Sequence, residues 1–278
     1  MKGLTVMTKR KTLWLAIFML IGGLVLFKAS SLPVFSVSTD EAQVPILMYH
    51  KVSPYAVHGG LGLRVPPKNF DLQMRYLKEH GYHTISLDRL IDNFDTGAPL
   101  PTRPVVITLD DGYEDNFNFA FPILEKYKFT ATIFLVYNNI GGLNSWDDHK
   151  NVAHNLSLLT WPQIRSMQKY GISFQSHTRS HPNLRTLSLE KAAEEIVTSR
   201  TMLEKRLGTP VDFIAYPFGE RDGRIDEIVE RAGYKGGITT MMGKNNSSTS
   251  RWRLKRLRVN GSTGTDEFAQ MLESNVIQ

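Results

Sequence analysis

The 278-residue chain contains no cysteine, which excludes disulfide bonds, thiolate metal sites and a lipid-modified N-terminal cysteine. Glycine-rich nucleotide signatures are also missing, since neither G-x-G-x-x-G nor a Walker loop follows an apolar run. No internal repeat or long low-complexity stretch is present. The composition is that of a globular protein, with 41% hydrophobic and 22% charged residues, so a sizeable core is available.

Little net charge remains outside the N-terminus. Residues 1–30 hold five basic residues and no acid, so five of the six excess positive charges lie there and the remainder carries +1. A near-neutral body gives little reason to expect nucleic-acid binding. One basic cluster, RWRLKRLRV at 251–259, predicts a strand with one solvent-facing side; a phosphate or membrane patch is the alternative.

Residues 1–30 have the anatomy of an export signal, because KRK precedes the apolar run TLWLAIFMLIGGLVLF. The run is rather short for a membrane span, although tilt could accommodate it, and a buried core helix is the alternative. We interpret 1–30 as a signal peptide or membrane anchor, 31–44 as a linker and 45–278 as the folded domain. We therefore expect an exported protein, extracellular or at the cell surface, which contacts the membrane if the segment stays uncleaved.

Short apolar runs alternate with helical periodicity along the folded domain. The predicted strands are PILMY (45–49), HTISL (83–87), VVITL (105–109), TATIFLV (130–136), ISFQS (172–176), DFIAY (212–216), GGITT (236–240) and LRV (257–259). Helices are predicted at 69–81 with Asn69 as cap, at 114–127 with a break or late start at Pro122, and at 160–171, 188–208 and 224–232. Roughly eight strands separated by helices favour an α/β fold with a parallel sheet closed or partly closed into a barrel; an open doubly wound sheet is the alternative.

Side chains suited to catalysis follow four of these strands. His50 follows the first strand, Asp110 and Asp111 follow VVITL, His177 and His181 lie in SHTRSH after ISFQS, and YPFG follows DFIA. The carboxyl ends of barrel strands form one face of the molecule. The four segments are therefore expected to deliver these side chains to one mouth.

The two histidines of SHTRSH are spaced for a shared metal, and Pro182 favours a turn rather than a helix there. With one carboxylate they would form a set that leaves open positions on Zn²⁺, the default ion, while Co²⁺ or Ni²⁺ is chemically acceptable. One acid of the pair can ligate and the other can accept a proton from water. The alternatives are two capping histidines near a turn, and a simple strand-to-turn connection at DDG.

Three motifs, TLDDGY (108–113), SHTRSH (176–181) and AYPFG (215–219), resemble in this order those of NodB-type polysaccharide deacetylases, carbohydrate esterase family four. PILMYHKV (45–52) resembles the opening strand of the exported poly-N-acetylglucosamine deacetylase-like subset. The resemblance implies a polysaccharide deacetylase domain at 45–278, with a NodB homology core at about 103–278, folded as a distorted, incomplete (β/α) barrel. It implies a metal-dependent hydrolase that removes N-acetyl groups from a polysaccharide such as peptidoglycan, poly-N-acetylglucosamine or a chitin-like polymer.

Position by position, the resemblance implies that Asp110 is the general base and that Asp111, His177 and His181 are the metal ligands. The backbone N–H of Tyr113 matches the oxyanion donor of the family. The YPFG motif matches the wall of the substrate groove and supplies the substrate-facing residues Tyr216, Pro217 and Phe218.

The chain departs from the family pattern at two places. Ala215 stands where many members have an arginine that orients the catalytic aspartate; the biofilm-type subset similarly lacks that arginine. No histidine follows His181, although many members carry a late general-acid histidine. In the permuted subset the first strand supplies that acid, which assigns the role to His50. The alternative for His50 is a strand-end histidine satisfied by a neighbouring carbonyl.

The long loop at 138–161 is expected to carry substrate contacts. Trp146 either stacks on a sugar ring or anchors its own loop. We treat the histidines at 58, 80, 83, 149 and 154 as solvated surface. Two other functions stay open from the sequence, namely an O-acetyl esterase on a xylan-like glycan and an inactive glycan-binding wall protein.

Overall fold

The computed structural model describes residues 43–55, 60–146 and 156–274. The predicted N-terminal segment at 1–30 and nearly all of the linker predicted at 31–44 lie outside these ranges. Within them, no helix combines the length and the apolar character needed to cross a membrane.

The described residues form eleven strands, several of them only two residues long. They are β1 Val44–Tyr49, β2 Lys51–Val52, β3 Arg64–Val65, β4 His83–Thr84, β5 Pro104–Leu109, β6 Thr132–Leu135, β7 Ser173–Ser176, β8 Phe213–Ala215, β9 Gly236–Met242, β10 Lys244–Asn245 and β11 Leu254–Arg258. The α-helices of the same ranges are α1 Gly60–Leu63, α2 Pro67–Glu79, α3 Leu87–Thr96, α4 Phe121–Tyr127, α5 Trp161–Tyr170, α6 Leu189–Leu207, α7 Gly223–Arg231 and α8 Thr265–Glu273.

Seven parallel strands close into a barrel in the order β1, β5, β6, β7, β8, β9 and β11, and β11 pairs again with β1. The strand predicted from HTISL is only the two-residue β4, which pairs with β5 at the edge of the ring. The antiparallel β10 flanks β1. The predicted incomplete (β/α) barrel is confirmed, with seven strands in the ring rather than eight.

The barrel strands read as continuous apolar runs because both of their faces are buried. Alternate residues point into the barrel, where a small cluster fills the lower interior and includes Ile46, Val106, Phe134 and Ile238. The remaining strand residues face outward and pack against the helices in a larger cluster that includes Leu47. Residues of the inner set therefore reach the mouth wherever they end a strand.

Helix boundaries agree in most places with the sequence signals. Ser188 caps α6 and Gly208 ends it, and Thr160 forms a capping box with Gln163 at the start of α5. The predicted cap at Asn69 is wrong. α2 begins two residues earlier at Pro67, because proline at the first helical position needs no hydrogen-bond partner for its nitrogen.

The segment predicted as a helix at 114–127 has two parts. A π-helical turn spans Asn116–Ala120, and α4 begins directly after it with Pro122 in its first turn. The late start inferred from the proline is confirmed. Wider π turns of this kind concentrate near functional sites.

Candidate active site

A cavity of about 240 Å³ opens at the carboxyl ends of the barrel strands. Seven residues predicted for the site border it, namely His50, Asp110, Asp111, His177, His181, Tyr216 and Phe218. They come from four separate strand ends, so the predicted convergence on one mouth is what the fold produces.

Asp111, His177 and His181 form a compact buried cluster. Asp111 Oδ1 lies 3.3 Å from Nε2 of His177 and 3.4 Å from Nε2 of His181. One ligand atom from each residue can be chosen so that all three lie within 4.8 Å of one another. Burial alone raises the pKa of the Asp111 carboxyl, but the two imidazoles outweigh it and hold that pKa well below its usual range.

The hydrogen bonds of the cluster leave metal-binding atoms facing inward. His177 Nδ1 lies 2.7 Å from the carbonyl oxygen of Ala215, so this nitrogen carries the proton and donates it, and Nε2 keeps its lone pair. Asp111 Oδ1 is buried without a hydrogen-bond partner. A buried carboxylate oxygen that faces two imidazole nitrogens suits a divalent cation.

The backbone at the site is unusual, since several non-glycine residues adopt the left-handed conformation there. Asp111 has φ 74°, Thr178 has φ 67°, His181 has φ 63° and Phe218 has φ 60°. Such conformations cost of order 1–3 kcal/mol each and persist only where the surroundings impose them. Asp111 is followed by Gly112, where a Cβ would lie 2.7 Å from Leu135 Cδ2, so the sharp turn at the end of β5 requires glycine.

Helix α6 supports the turn that carries His181. Glu195 accepts hydrogen bonds from both the backbone N–H and the hydroxyl of Ser180, at 2.8 and 2.6 Å. The His181 N–H donates to the hydroxyl of Thr178 at 3.0 Å. The sequence alone did not identify Glu195, because it lies on a helix whose periodicity indicates only a packed face.

Asp110 is held by Arg256 in a bidentate ion pair with two nitrogen–oxygen distances of 2.7 Å. The remaining guanidinium contacts are with the Thr239 carbonyl at 2.8 Å and the Thr108 hydroxyl at 3.2 Å. Burial raises the pKa of Asp110, but Arg256 outweighs it, so the net pKa lies below its usual range. Arg256 itself is fully buried.

Arg256 overturns part of the interpretation of RWRLKRLRV. The strand exists as β11, but the side expected to face solvent includes a fully buried arginine that points into the barrel. Burial is tolerated because the carboxylate of Asp110 compensates the charge. In the sequence, the absence of the family's arginine at Ala215 indicates that another cation has to orient Asp110, but not which one.

His50 borders the same cavity, with Nε2 3.8 Å from Asp110 Oδ2. Burial lowers the pKa of His50, and the nearby Arg256 and Arg258 lower it further against the opposing effect of Asp110 and Asp111. Its main-chain oxygen accepts a hydrogen bond from the Asn116 side chain at 2.8 Å.

Asp115 and Asn116 join the end of β1 to the turn after β5. Asp115 accepts from the Val52 N–H at 3.2 Å and from the Asn116 amide at 2.9 Å. Burial raises the pKa of Asp115 to about 7, although Lys51 opposes that rise. The π-helical turn places Asn116 beneath His50.

The residues predicted for the groove wall differ in their placement. Phe218 is 57% exposed and packs edge-on against the His181 imidazole at 4.9 Å. Tyr216 borders the cavity but is fully buried, with its hydroxyl donating to Asp226 at 3.4 Å. Pro217 is buried at the start of a short 3₁₀ turn. Of the three, Phe218 presents the largest accessible surface to a ligand.

Other predicted positions have mixed outcomes. Trp146 stacks on the His181 imidazole with ring centroids 4.6 Å apart, so it packs against the cluster as well as bordering the cavity. The Tyr113 side chain is buried beneath Lys51, and its backbone role stays a prediction. His80 and His83 lie at the surface as expected. The histidines at 58, 149 and 154 lie outside the described residues.

Comparison with known proteins points to one family. Residues 97–237, about half of the chain, match the family model described as polysaccharide deacetylase. The chain is 33% identical to YxkH of Bacillus subtilis, which bears a polysaccharide deacetylase name, over 84% of this chain and 77% of that protein. It is 29% identical to the poly-beta-1,6-N-acetyl-D-glucosamine N-deacetylase of Staphylococcus aureus, over 63% of this chain and 60% of that protein.

Among solved structures, the Streptococcus pyogenes deacetylase PplD, in complex with acetate, superposes with a TM-score of 0.74 at 29% sequence identity. The match covers 84% of this chain and 100% of the PplD chain. The barrel and the order of its elements are therefore shared with a solved deacetylase.

Proposed function

The chain belongs to the polysaccharide deacetylase family, and on that premise we propose that it removes N-acetyl groups from a polymer of N-acetylated amino sugars in a metal-dependent hydrolysis. One observation carries the proposal: the buried cluster of Asp111, His177 and His181 borders the same cavity as the ion-paired Asp110. A cation-binding set and a separate carboxylate within one mouth are what amide hydrolysis needs.

The cluster fits a divalent cation. Its unpartnered Asp111 oxygen and the free Nε2 of His177 supply one oxygen and one nitrogen ligand, and His181 supplies the second nitrogen. Two imidazoles and one carboxylate favour Zn²⁺, with Co²⁺ or Ni²⁺ also acceptable. When bound, such an ion supplies a Lewis acid that polarises the acetyl carbonyl.

Asp110 is proposed as the general base. Arg256 occupies one lone pair on each carboxylate oxygen, and each oxygen keeps a second one with which to accept a proton from the attacking water. The water oxygen bonds to the acetyl carbon, the carbon–nitrogen bond breaks, and acetate leaves. Arg256 fixes the carboxylate plane during this proton transfer.

His50 is proposed as the general acid that protonates the departing amine. It borders the cavity with Nε2 3.8 Å from Asp110, and its lowered pKa makes the imidazolium a stronger proton donor than a solvated histidine. Phe218 and Tyr216 are proposed to border the sugar, and the Tyr113 N–H to donate to the oxyanion.

The polymer is proposed to be of cell-wall or extracellular origin, such as peptidoglycan, poly-N-acetylglucosamine or a chitin-like glycan. The name of the Staphylococcus aureus relative supports the second of these. The apolar run of residues 1–30 supports export, to the cell surface or beyond it. Fractionation of cells that express the full chain with a C-terminal tag tests this proposal, and a cytoplasmic soluble pool would contradict it.

The test of the function is acetate release from purified peptidoglycan, poly-N-acetylglucosamine, chitin oligomers and acetylxylan, with and without a chelator. We expect release from an N-acetylated polymer that the chelator abolishes and added Zn²⁺ restores. The Asp110→Asn variant is expected to lose activity by at least a hundredfold, whereas Asp92→Asn on the exposed side of α3 keeps it. Release from acetylxylan alone, or an active Asp110→Asn variant, would contradict the proposal.

A further inference from the structure

Arg258 is a cation at the mouth of the barrel for which the described residues supply no partner. It ends β11 two residues after Arg256, so it lies on the same inward face of the strand, and it borders the cavity beside His50. It is partly buried. Among the parts of the chain that the structure describes, no carboxylate lies within ion-pair distance of its guanidinium, and its side chain makes no hydrogen bond.

The other arginines of the same segment are all paired. Arg251 binds Asp95, Arg253 lies 3.6 Å from Asp226, and Arg256 binds Asp110. The acids that pair with these three arginines are therefore already engaged. Arg258 keeps its full charge and its donors, and it directs them toward the cavity.

The two acids among the described residues that border the cavity are also paired. Asp110 gives both of its oxygens to Arg256, and Asp111 faces His177 and His181 on the opposite wall. A partly desolvated guanidinium without an anion is unfavourable, and it gains from any carboxylate or phosphate that enters. Its planar fork of donors matches either group in a bidentate arrangement.

We propose that Arg258 forms an anion subsite that binds a carboxylate or phosphate carried by the substrate, on the sugar that is deacetylated or on its neighbour. This inference rests on the proposed function and narrows its substrate class. The preferred polymer is then an N-acetylated glycan with acidic substituents rather than a neutral one. Free acetate, the product of the reaction, is the other carboxylate that fits the subsite.

The test compares neutral N-acetylglucosamine oligomers with glycan strands of equal length in which alternate sugars carry a lactyl carboxylate. For Arg258→Gln, we expect KM for the acidic strands to rise about ten- to a hundredfold, the loss of one charge-assisted bidentate contact. We expect KM for neutral oligomers to change less than twofold, because they carry no anion for Arg258 to bind. Loss of Arg258 also removes a charge that lowers the pKa of His50, so any change in kcat should be the same on both substrates. In the unmodified protein, the difference in KM between the two substrates should shrink as salt rises from 50 to 500 mM.

Lys255→Gln is the matched control, since it removes one positive charge from the outward face of the same strand, away from the cavity. This variant should leave KM and kcat unchanged for both substrates. If Arg258→Gln raised KM equally for neutral and acidic strands, the proposal would be overturned. Unchanged KM for the acidic strands together with weaker inhibition by added acetate would also overturn it, because the anion would then be the product.

Binding to ligands without an acetyl group separates the subsite from the proposed activity. Muramic acid differs from glucosamine by its lactyl carboxylate, and neither can be deacetylated. In NMR titrations of the zinc-loaded protein, muramic acid should bind at least tenfold more tightly than glucosamine, and Arg258→Gln should remove the difference. Equal binding by the unmodified protein overturns the subsite even if acetate release is observed. Selective binding without acetate release would overturn the proposed function alone.

Discussion

Arg256 and Asp110 make a buried ion pair whose two charges depend on each other. Both side chains are almost fully excluded from water, and both Asp110 oxygens are bound. A buried pair contributes little net stability, but removal of one partner leaves an uncompensated charge in the barrel. The pair therefore fixes the position of Asp110 at some expense of stability.

Arg256→Gln is expected to lower the free energy of unfolding by about 3–5 kcal/mol, because Asp110 is left buried without a counter-charge. Acetate release should fall by more than a hundredfold. Urea denaturation measures the first effect. The double variant Asp110→Leu with Arg256→Met should recover most of the stability and none of the activity; a double variant as unstable as Arg256→Gln would contradict this account.

Asp115 should make the stability of the protein depend on pH. Its pKa in the folded protein is about 7, against an ordinary value near 4 in the unfolded chain. Between these values the folded state keeps a proton that the unfolded chain has released. The contribution of Asp115 to stability is therefore fully present below about pH 4 and is lost as the pH rises to about 7.

The Asp115→Asn variant tests this, since an amide keeps the acceptor oxygen for the Val52 N–H without the charge. Thermal and urea unfolding at pH 5 and pH 8 measure the free energy of unfolding of both proteins. Relative to the wild type, that of the variant should be about 1–3 kcal/mol higher at pH 8 than at pH 5. Glu114→Gln, the neighbouring acid, serves as the control. A stability difference that is the same at both pH values would exclude a protonated Asp115.

At the scale of elements, the turn at 178–181 depends on a helix distant from it in sequence. α6 presents Glu195 to the N–H and hydroxyl of Ser180, and Ser199 to the hydroxyl of Ser176 at 2.8 Å. These contacts hold His181 in a left-handed conformation that the chain would not adopt alone. The ligand geometry therefore depends on the packing of α6.

Glu195→Ala is expected to weaken Zn²⁺ binding by about ten- to a hundredfold, as is typical when a residue that orients a metal ligand is removed. Competition with a chromophoric chelator measures the affinity. Glu194→Ala is the control, because its ion pair with Arg179 lies at the surface of the same turn and contributes little. Equal affinities for the two variants would mean that the turn holds its shape without Glu195.

The elements were predictable where one stretch of sequence carries the signal. The strands that end in Asp110 and His177 follow from apolar runs, and the caps of α5 and α6 follow from Thr160 and Ser188. Arg256 and Glu195 were not predictable in the same way. Each acts on a residue more than ten positions away, and such contacts exist only once the barrel and its helices have packed.

The thermal stability of the whole molecule should rise when a metal ion binds. Since the cluster of Asp111, His177 and His181 forms only in the folded state, a bound ion stabilises that state by mass action, by about 2.7 kcal/mol at a hundredfold excess over Kd. Differential scanning calorimetry should show a higher Tm with Zn²⁺ than with EDTA. His181→Ala should abolish most of the difference, whereas His83→Ala at the surface should keep it; a Tm indifferent to both would contradict a metal site.

The order of the barrel was predictable only in outline. Alternating strands and helices indicate a parallel barrel, but the sequence does not show which strand closes it. The structure closes the ring at β1, which pairs with β5 on one side and with β11 on the other. The alternation in the basic cluster therefore predicts a strand with one solvent-facing side, whereas β11 completes the barrel wall.

That closure has a consequence for how the protein comes to be active during its synthesis. His50 follows β1, Asp110 follows β5 and Arg256 lies on β11. The three neighbouring strands at which the ring closes therefore supply these side chains. β1 and β11 pair across about two hundred residues of chain, a contact of high order that forms late and slowly in folding. A nascent chain that has not yet emerged past β11 lacks the counter-ion of Asp110. The chain is thus expected to lack hydrolytic activity during its synthesis, and to acquire it when its last barrel strand docks.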